Sequence, residues 1–110
     1  ELNFNIKATQ VIVDNIPLKC IIRDVAFSGI KVIIMGVAKF LVNKNAMVHF
    51  QFSEPDEGID IPGKVIRFEP IEGRQDIGAF VIQFPEEAIP VDYKLRLTGY
   101  LKQQRVKKVQ

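Results

Sequence analysis

Apolar residues recur at every second position along most of this chain, in short runs separated by turn formers, and this spacing constrains the fold more than any other feature. Leu2, Phe4, Ile6 and Ala8 alternate with other residues, as do Leu18, Cys20 and Ile22, then Ile30, Val32 and Ile34, then Val48, Phe50 and Phe52. Successive side chains on a strand point to opposite faces, so each run builds a strand with one dry face. Ile61 to Phe68 and Ile77 to Phe84 have the same character, the latter with Gly78, Phe80, Ile82 and Phe84 on one side and Ile77, Ala79 and Val81 on the other, for six or seven strands in all. Between the runs stand Asp14-Asn15 with Pro17, Ser28-Gly29, Asn43 to Asn45, Pro55 to Gly58 and Pro70 to Gly73, clusters that reverse a chain. Such links are too short for parallel crossovers, which need about a dozen residues or more. Short antiparallel strands lose their exposed edges by closing on themselves. The expected fold is all-β: a six-stranded antiparallel β-barrel over residues 1–90, closed by a C-terminal helix.

The helix is expected because the period changes after Pro90. Tyr93, Leu97, Tyr100 and Leu101 fall at i, i+4, i+7 and i+8, one stripe of a helix over residues 91–110, with Lys94, Arg96, Lys102 and Arg105 assigned mostly to the solvated faces. Pro90 suits a helix start, Asp92 the positive end of the helix dipole, and Arg105, Lys107 and Lys108 the negative end. Gly99 weakens it by about 1 kcal/mol relative to Ala. Charge marks the same boundary: residues 1–90 carry 9 basic and 12 acidic groups, and residues 91–110 carry 6 basic and 1 acidic. With 110 residues, 47% hydrophobic and 25% charged, the whole length is expected to be one domain around one core.

Catalysis needs a nucleophile or a proton carrier, and one histidine with one cysteine offers few arrangements. Cys20 shares the side of Leu18 and reads as packing, and His49 faces away from Val48 and Phe50 and reads as solvated. A disulfide within the chain and a Cys/His zinc site are excluded, so no enzyme, catalytic residue, metal or cofactor is expected. Gly58, Gly63, Gly73 and Gly78 are isolated and read as turn or bulge positions rather than a phosphate loop. No apolar run approaches the roughly 20 residues of a membrane span. The lone cysteine fits a reducing compartment, and a cytoplasmic location is expected.

Arg23-Asp24-Val25-Ala26-Phe27-Ser28-Gly29 joins two strands through a short polar link. Asp24 can accept backbone hydrogen bonds at a strand end, and Gly29 can supply a backbone angle that other residues resist. The segment Asp24 to Gly29 also resembles the Asp/Asn-x-Ser-x-x-Gly mark of the PilZ domain family. The resemblance continues through Gly63-Lys64-Val65-Ile66-Arg67 (Gly-x-Val-x-Arg), Ile77 to Phe84, and the closing helix after Ile89. It implies a six-stranded barrel from a bacterium that binds cyclic di-GMP and passes the signal to an attached domain or protein partner. The implied ligand-binding residues are Asp24, Ala26, Ser28 and Gly29, with Arg23 and Arg67 as further candidates. Two departures stand out. Ala26 takes the family's Ser position and loses a hydroxyl bond of about 0.5–1.5 kcal/mol. The family's Arg-x-x-x-Arg segment, expected just before the first strand, is absent from residues 1–110: it either lies upstream of Glu1, where the chain opens without Met, or is missing.

Two functions compete on these terms. One is a cyclic di-GMP-responsive module built on the residues above. The other is a degenerate domain that binds no nucleotide and serves as a protein-interaction module in motility, pilus or envelope regulation, with Phe27 and Phe40 as apolar contacts. Nucleic acid is disfavoured as a partner, because the barrel carries an excess of acidic groups and its strands lack aromatic-basic interleaving.

Overall fold

The computed structural model describes residues 3–36 and 39–109, with side chains described through residue 103 except for residue 39. Leu2 and the side chains of Arg105, Lys107 and Lys108 therefore lie outside the described residues. Seven strands form one antiparallel sheet: β1 (Asn5–Val13), β2 (Ile16–Leu18), β3 (Cys20–Ala26), β4 (Gly29–Met35), β5 (Asn45–Ser53), β6 (Glu57–Ile71) and β7 (Arg74–Gln83), followed by helix α1 (Val91–Val109). The order across the sheet is β2-β1-β5-β6-β7-β4-β3. The sheet curls until its two margins face each other as a half-barrel, with the Cys20 sulfur on β3 lying 4.0 Å from the Thr9 carbonyl on β1. The expected antiparallel barrel with a closing helix is found. The short β2 accounts for the seventh strand, paired to β1 across the Asp14-Asn15 turn, whose two residues both have positive φ, the geometry that a two-residue hairpin favours.

The alternation gives the right faces except at Ala8, which a slip in the β1–β5 pairing between Ile6 and Ala8 turns outward. Val11, Val32, Val48, Phe50, Phe52, Ile61, Phe80 and Ile82 are fully buried inside the curl. Tyr93 and Leu97 press α1 onto this core, and Leu101 packs beside them half-buried. Tyr100, assigned to the same stripe, stays 37% exposed and meets the ring of Phe4 at 5.5 Å.

Arg96 corrects the sequence expectation. Placed by its charge on the solvated side of the helix, it is instead fully buried. Its guanidinium donates to the carbonyls of Asn3 (2.5 Å), Pro55 (2.8 Å) and Ser53 (3.3 Å) and to Glu57 Oε1 (3.0 and 3.2 Å), and it lies 4.6 Å from the centre of the Phe52 ring. The planar five-donor head explains why: a buried charge is tolerated only when its donors are filled, and here three carbonyls and a carboxylate fill them. Glu57 is held above the usual carboxylate range, first by the neighbouring Asp92 carboxyl and then by burial, with Arg96 opposing.

Strand β6 runs longer than its alternation indicates, through Pro62 and Pro70. Its first part pairs with β5 up to Lys64 and its second part pairs with β7 from Lys64 onward. Each half has one free side, which is where a strand tolerates a residue without an N–H. Gly63 sits at the changeover, and it is a strand residue rather than a turn: a Cβ there would stand 2.7 Å from Ile82 Cγ2. Gly78 is likewise within β7, with the Phe68 ring filling the space its side chain would take. Gly58 lies in β6, so of the four isolated glycines only Gly73, with φ +77°, stands in a turn.

Candidate functional site

Two β-bulges build the site. On β3 the pairing with β4 slips between Ile22 and Asp24, so Ile22 and Val25 both face inward while Arg23 and Asp24 are consecutive and both exposed. On β6 the pairing with β7 slips between Val65 and Arg67, so Ile66 and Arg67 both face outward. A bulge re-aims side chains in this way, and bulges concentrate beside binding sites. The register then sets Asp24 opposite Lys31, Lys31 opposite Val81, and Val81 opposite Arg67. Asp24, Lys31, Val81 and Arg67 form one row across β3, β4, β7 and β6 on the outer face of the sheet.

A cleft of about 220 Å³ lies along this row, lined by Asp24, Ala26, Ser28, Gly29, Lys31, Ile66, Arg67, Val81 and their neighbours. It gathers five of the six residues singled out from the sequence. Arg23 is the exception: it lines a second cleft of about 490 Å³ with Phe4, Ile6, Tyr100 and Leu101. Asp24 and Val25 line both clefts and so form the ridge between them. The smaller cleft falls below the ~300–1,000 Å³ of pockets that enclose a drug-sized ligand, so it suits gripping an edge of one.

Asp24 is exposed, and its carboxylate makes no hydrogen bond or ion pair among the described residues. The backbone-bonded role open to it from sequence is not the one adopted. Ala26 and Gly29 are a ladder pair closing the β3–β4 hairpin around Phe27 and Ser28. The hairpin is fastened from beneath: the Tyr93 hydroxyl donates to the Ala26 carbonyl at 2.8 Å, and the Phe84 N–H donates to the Ser28 carbonyl at 2.8 Å. Gly29 is needed for a different reason from the backbone angle expected. Its φ is not positive; it is the first residue of β4, buried, and any Cβ would run into the Ile82 carbonyl of β7. Close approach is its task, and the partner is a strand.

Lys31 lines the cleft and Glu69 stands beside it, and the sequence singled out neither. Glu69 lies 3.0 Å from Lys31 Nζ and accepts from Arg67 Nε at 2.9 Å. Lys31 first and Arg67 second hold the Glu69 carboxyl below the usual carboxylate range. The alternation Ile30-Lys31-Val32 shows that Lys31 points outward, but the register that brings it to Glu69, 38 positions away, is a tertiary fact.

Elsewhere His49 Nδ1 pairs with Asp60 at 2.6 Å, and the half-buried Cys20 has its thiol pushed up by burial, consistent with packing. Among the described residues no cluster of His, Cys, Asp and Glu has the makings of a metal site. No helix among the described residues is long and apolar enough to cross a membrane.

The PilZ domain family model matches residues 2–103. Over 94 residues the chain is 43% identical to a protein of Treponema denticola named "Cyclic di-GMP binding protein", a match that covers 86% of this chain and 30% of the relative. The chain therefore spans less than a third of that relative's length. No solved structure matches it. The chain belongs to the PilZ domain family.

Proposed function

We propose that this PilZ domain binds cyclic di-GMP over the Asp24–Arg67 row and acts as a regulatory module rather than an enzyme, passing the signal to an attached domain or a protein partner in the bacterial cytoplasm. The observation that carries the reading is the row itself: an open carboxylate at one end, two cations beyond it, and a cleft along all three. Guanine presents adjacent N–H donors on one edge, which an ionised carboxylate such as Asp24 accepts. The phosphodiesters carry the charge that Arg67 attracts. Ser28 adds a hydroxyl at the rim, while Ala26 and Gly29 shape the hairpin through their backbone. Arg23, on the far side of the Asp24 ridge, meets the ligand only if it spans both clefts. The relative's printed name supports the same ligand. The ligand-free alternative is not favoured by the family match or by the relative's name.

The test is calorimetric titration of cyclic di-GMP into residues 1–110 and into a longer version that includes any residues encoded before Glu1. Residues 1–110 lack two charge-assisted arginine contacts and one hydroxyl bond of the family pattern, together about 3–7 kcal/mol or two to five decades, so they are expected to bind at millimolar level or weaker. Tight binding by the longer version alone would place the arginine pair upstream. Tight binding by the short one would show that cations on the barrel wall replace it. Binding by neither would restore the protein-interaction reading.

A further inference from the structure

Lys31 and Arg67 stand on strands that flank β7, and both reach one carboxylate. Lys31 Nζ is 3.0 Å from Glu69 Oε1, and Arg67 Nε is 2.9 Å from Glu69 Oε2. The Lys31–Glu69 pair thus crosses over β7, and a single oxyanion already sits between two cations from non-adjacent strands. Carboxylates and phosphates offer such donors similar oxygens, phosphate with more charge. The Lys31 and Arg67 side chains are 26% and 58% exposed and both residues line the smaller cleft, whereas Glu69 stands outside it. Lys31 is also the ladder partner of Asp24, yet it reaches the other way, to Glu69, and leaves Asp24 open.

We propose that Lys31 and Arg67 are a phosphate-binding pair within the barrel wall, and that Glu69 is their built-in counter-ion, which a ligand phosphate must displace. The inference rests on the cyclic di-GMP reading of the cleft. Glu69 keeps two cations converged on an oxyanion-sized gap, and it also competes for them. Exposed ion pairs of this kind are individually weak, so a dianionic ligand displaces them readily. Glu69 is a positioning residue, and Lys31 and Arg67 are the contacts.

Glu69→Gln keeps the shape and removes the charge. Cyclic di-GMP titrated into the full-length protein is expected to bind the E69Q form about three- to tenfold more tightly than wild type in about 0.05 M salt, the size set by two exposed ion pairs. In about 0.5 M salt the gain should shrink below about twofold through screening. It should vanish when Lys31→Met and Arg67→Gln are added to Glu69→Gln. A merely structural Glu69 would shift the melting temperature and leave affinity and its salt dependence unmoved. If wild type binds and Asp24→Ala weakens it, but E69Q binds equally or less tightly, the counter-ion role is overturned and the cyclic di-GMP reading stands. If neither wild type nor E69Q binds the nucleotide, that reading falls, and inorganic pyrophosphate decides the pair: tighter binding to E69Q than to wild type keeps it, and equal or absent binding removes it.

Discussion

Arg96 and Arg67 each pair with a glutamate, yet one is sealed in the core and the other stands on the barrel's outer face. The Arg96 guanidinium is fully buried, and its donors are divided among three backbone carbonyls and Glu57. Arg67 is 58% exposed and shares Glu69 with Lys31. Burial decides what each can do. Withdrawing Arg96 would leave Glu57 and three carbonyls without the donors that a fully buried guanidinium supplies together, so that contact is fixed once the chain has folded. Withdrawing Arg67 returns two groups to solvent at little cost, so that contact is exchangeable. The same two residue types make a fastening in one place and a replaceable counter-ion in the other.

The sharpest way to break this comparison is Arg96→Met. It is expected to lower unfolding free energy by more than about 3 kcal/mol, read from urea melts, because Glu57 and three carbonyls lose their donors together. A loss under about 1 kcal/mol would put Arg96 with the exchangeable contacts.

Tyr93→Phe should come next, at about 1–2 kcal/mol, since it keeps the packed ring and leaves the Ala26 carbonyl without its donor. Burial pushes the Tyr93 hydroxyl well above its ordinary value of about 10. The folded state therefore favours the neutral phenol, a contribution fully present below about pH 10 and lost as pH rises from there through the folded value. Alkaline melts of wild type should accordingly fall more steeply above about pH 10 than those of Tyr93→Phe.

Arg67→Gln should change stability by less than about 0.5 kcal/mol while weakening cyclic di-GMP about tenfold or more, the split expected of a surface contact recruited by a ligand. A stability loss comparable to that of Arg96→Met would erase the distinction between the two arginines.

The smallest effect is electrostatic. The Glu69 carboxyl should titrate, by carbon-detected NMR, below its ordinary value of about 4.3. Its stabilising contribution is present above that value and lost as pH falls through the folded one. Lys31→Met should raise its midpoint more than Arg67→Gln does, because Lys31 is the larger cause.

How much of this was legible in the sequence depends on whether the deciding interaction is local. Most strand faces followed from alternation, because a strand's two-residue period is a property of its own backbone; Ala8 did not, because the β1–β5 pairing slips just before it. The α1 stripe was found through Tyr93 and Leu97, but Arg96, three residues after Tyr93 and four before Tyr100, occupies that same stripe and was set aside for its charge. The spacing was the better guide, since nothing in the helix itself shows that three carbonyls from other elements await the guanidinium. The two bulges left a trace in the sequence: Ile22 to Val25 and Val65 to Phe68 are inward residues three apart where alternation wants two. The motif singles out Asp24, Ala26 and Gly29, and the fold sets them with Ser28 along one cleft. Lys31 and Glu69 were not singled out, because only strand register brings them together, and register is settled by the whole sheet.

The changeover on β6 gives the molecule a mechanical character. Because β5 leaves that strand where β7 joins it, at Lys64, the sheet consists of two hairpin panels sharing one long beam. One panel, β1, β2 and β5, is bordered by the carbonyls that seat Arg96, with Asn3 just before β1, Ser53 ending β5 and Pro55 in the turn to β6; the other, β7, β4 and β3, carries the hairpin held by Tyr93. Helix α1 therefore spans the seam as a tie-bar, gripping one panel with Arg96 and the other with Tyr93, three residues apart. Apart from the shared core and the β1–β3 meeting at Cys20, the beam and the bar are what join the two panels, and the Asp24 hairpin stands one hydrogen bond, Tyr93 to the Ala26 carbonyl, from the helix.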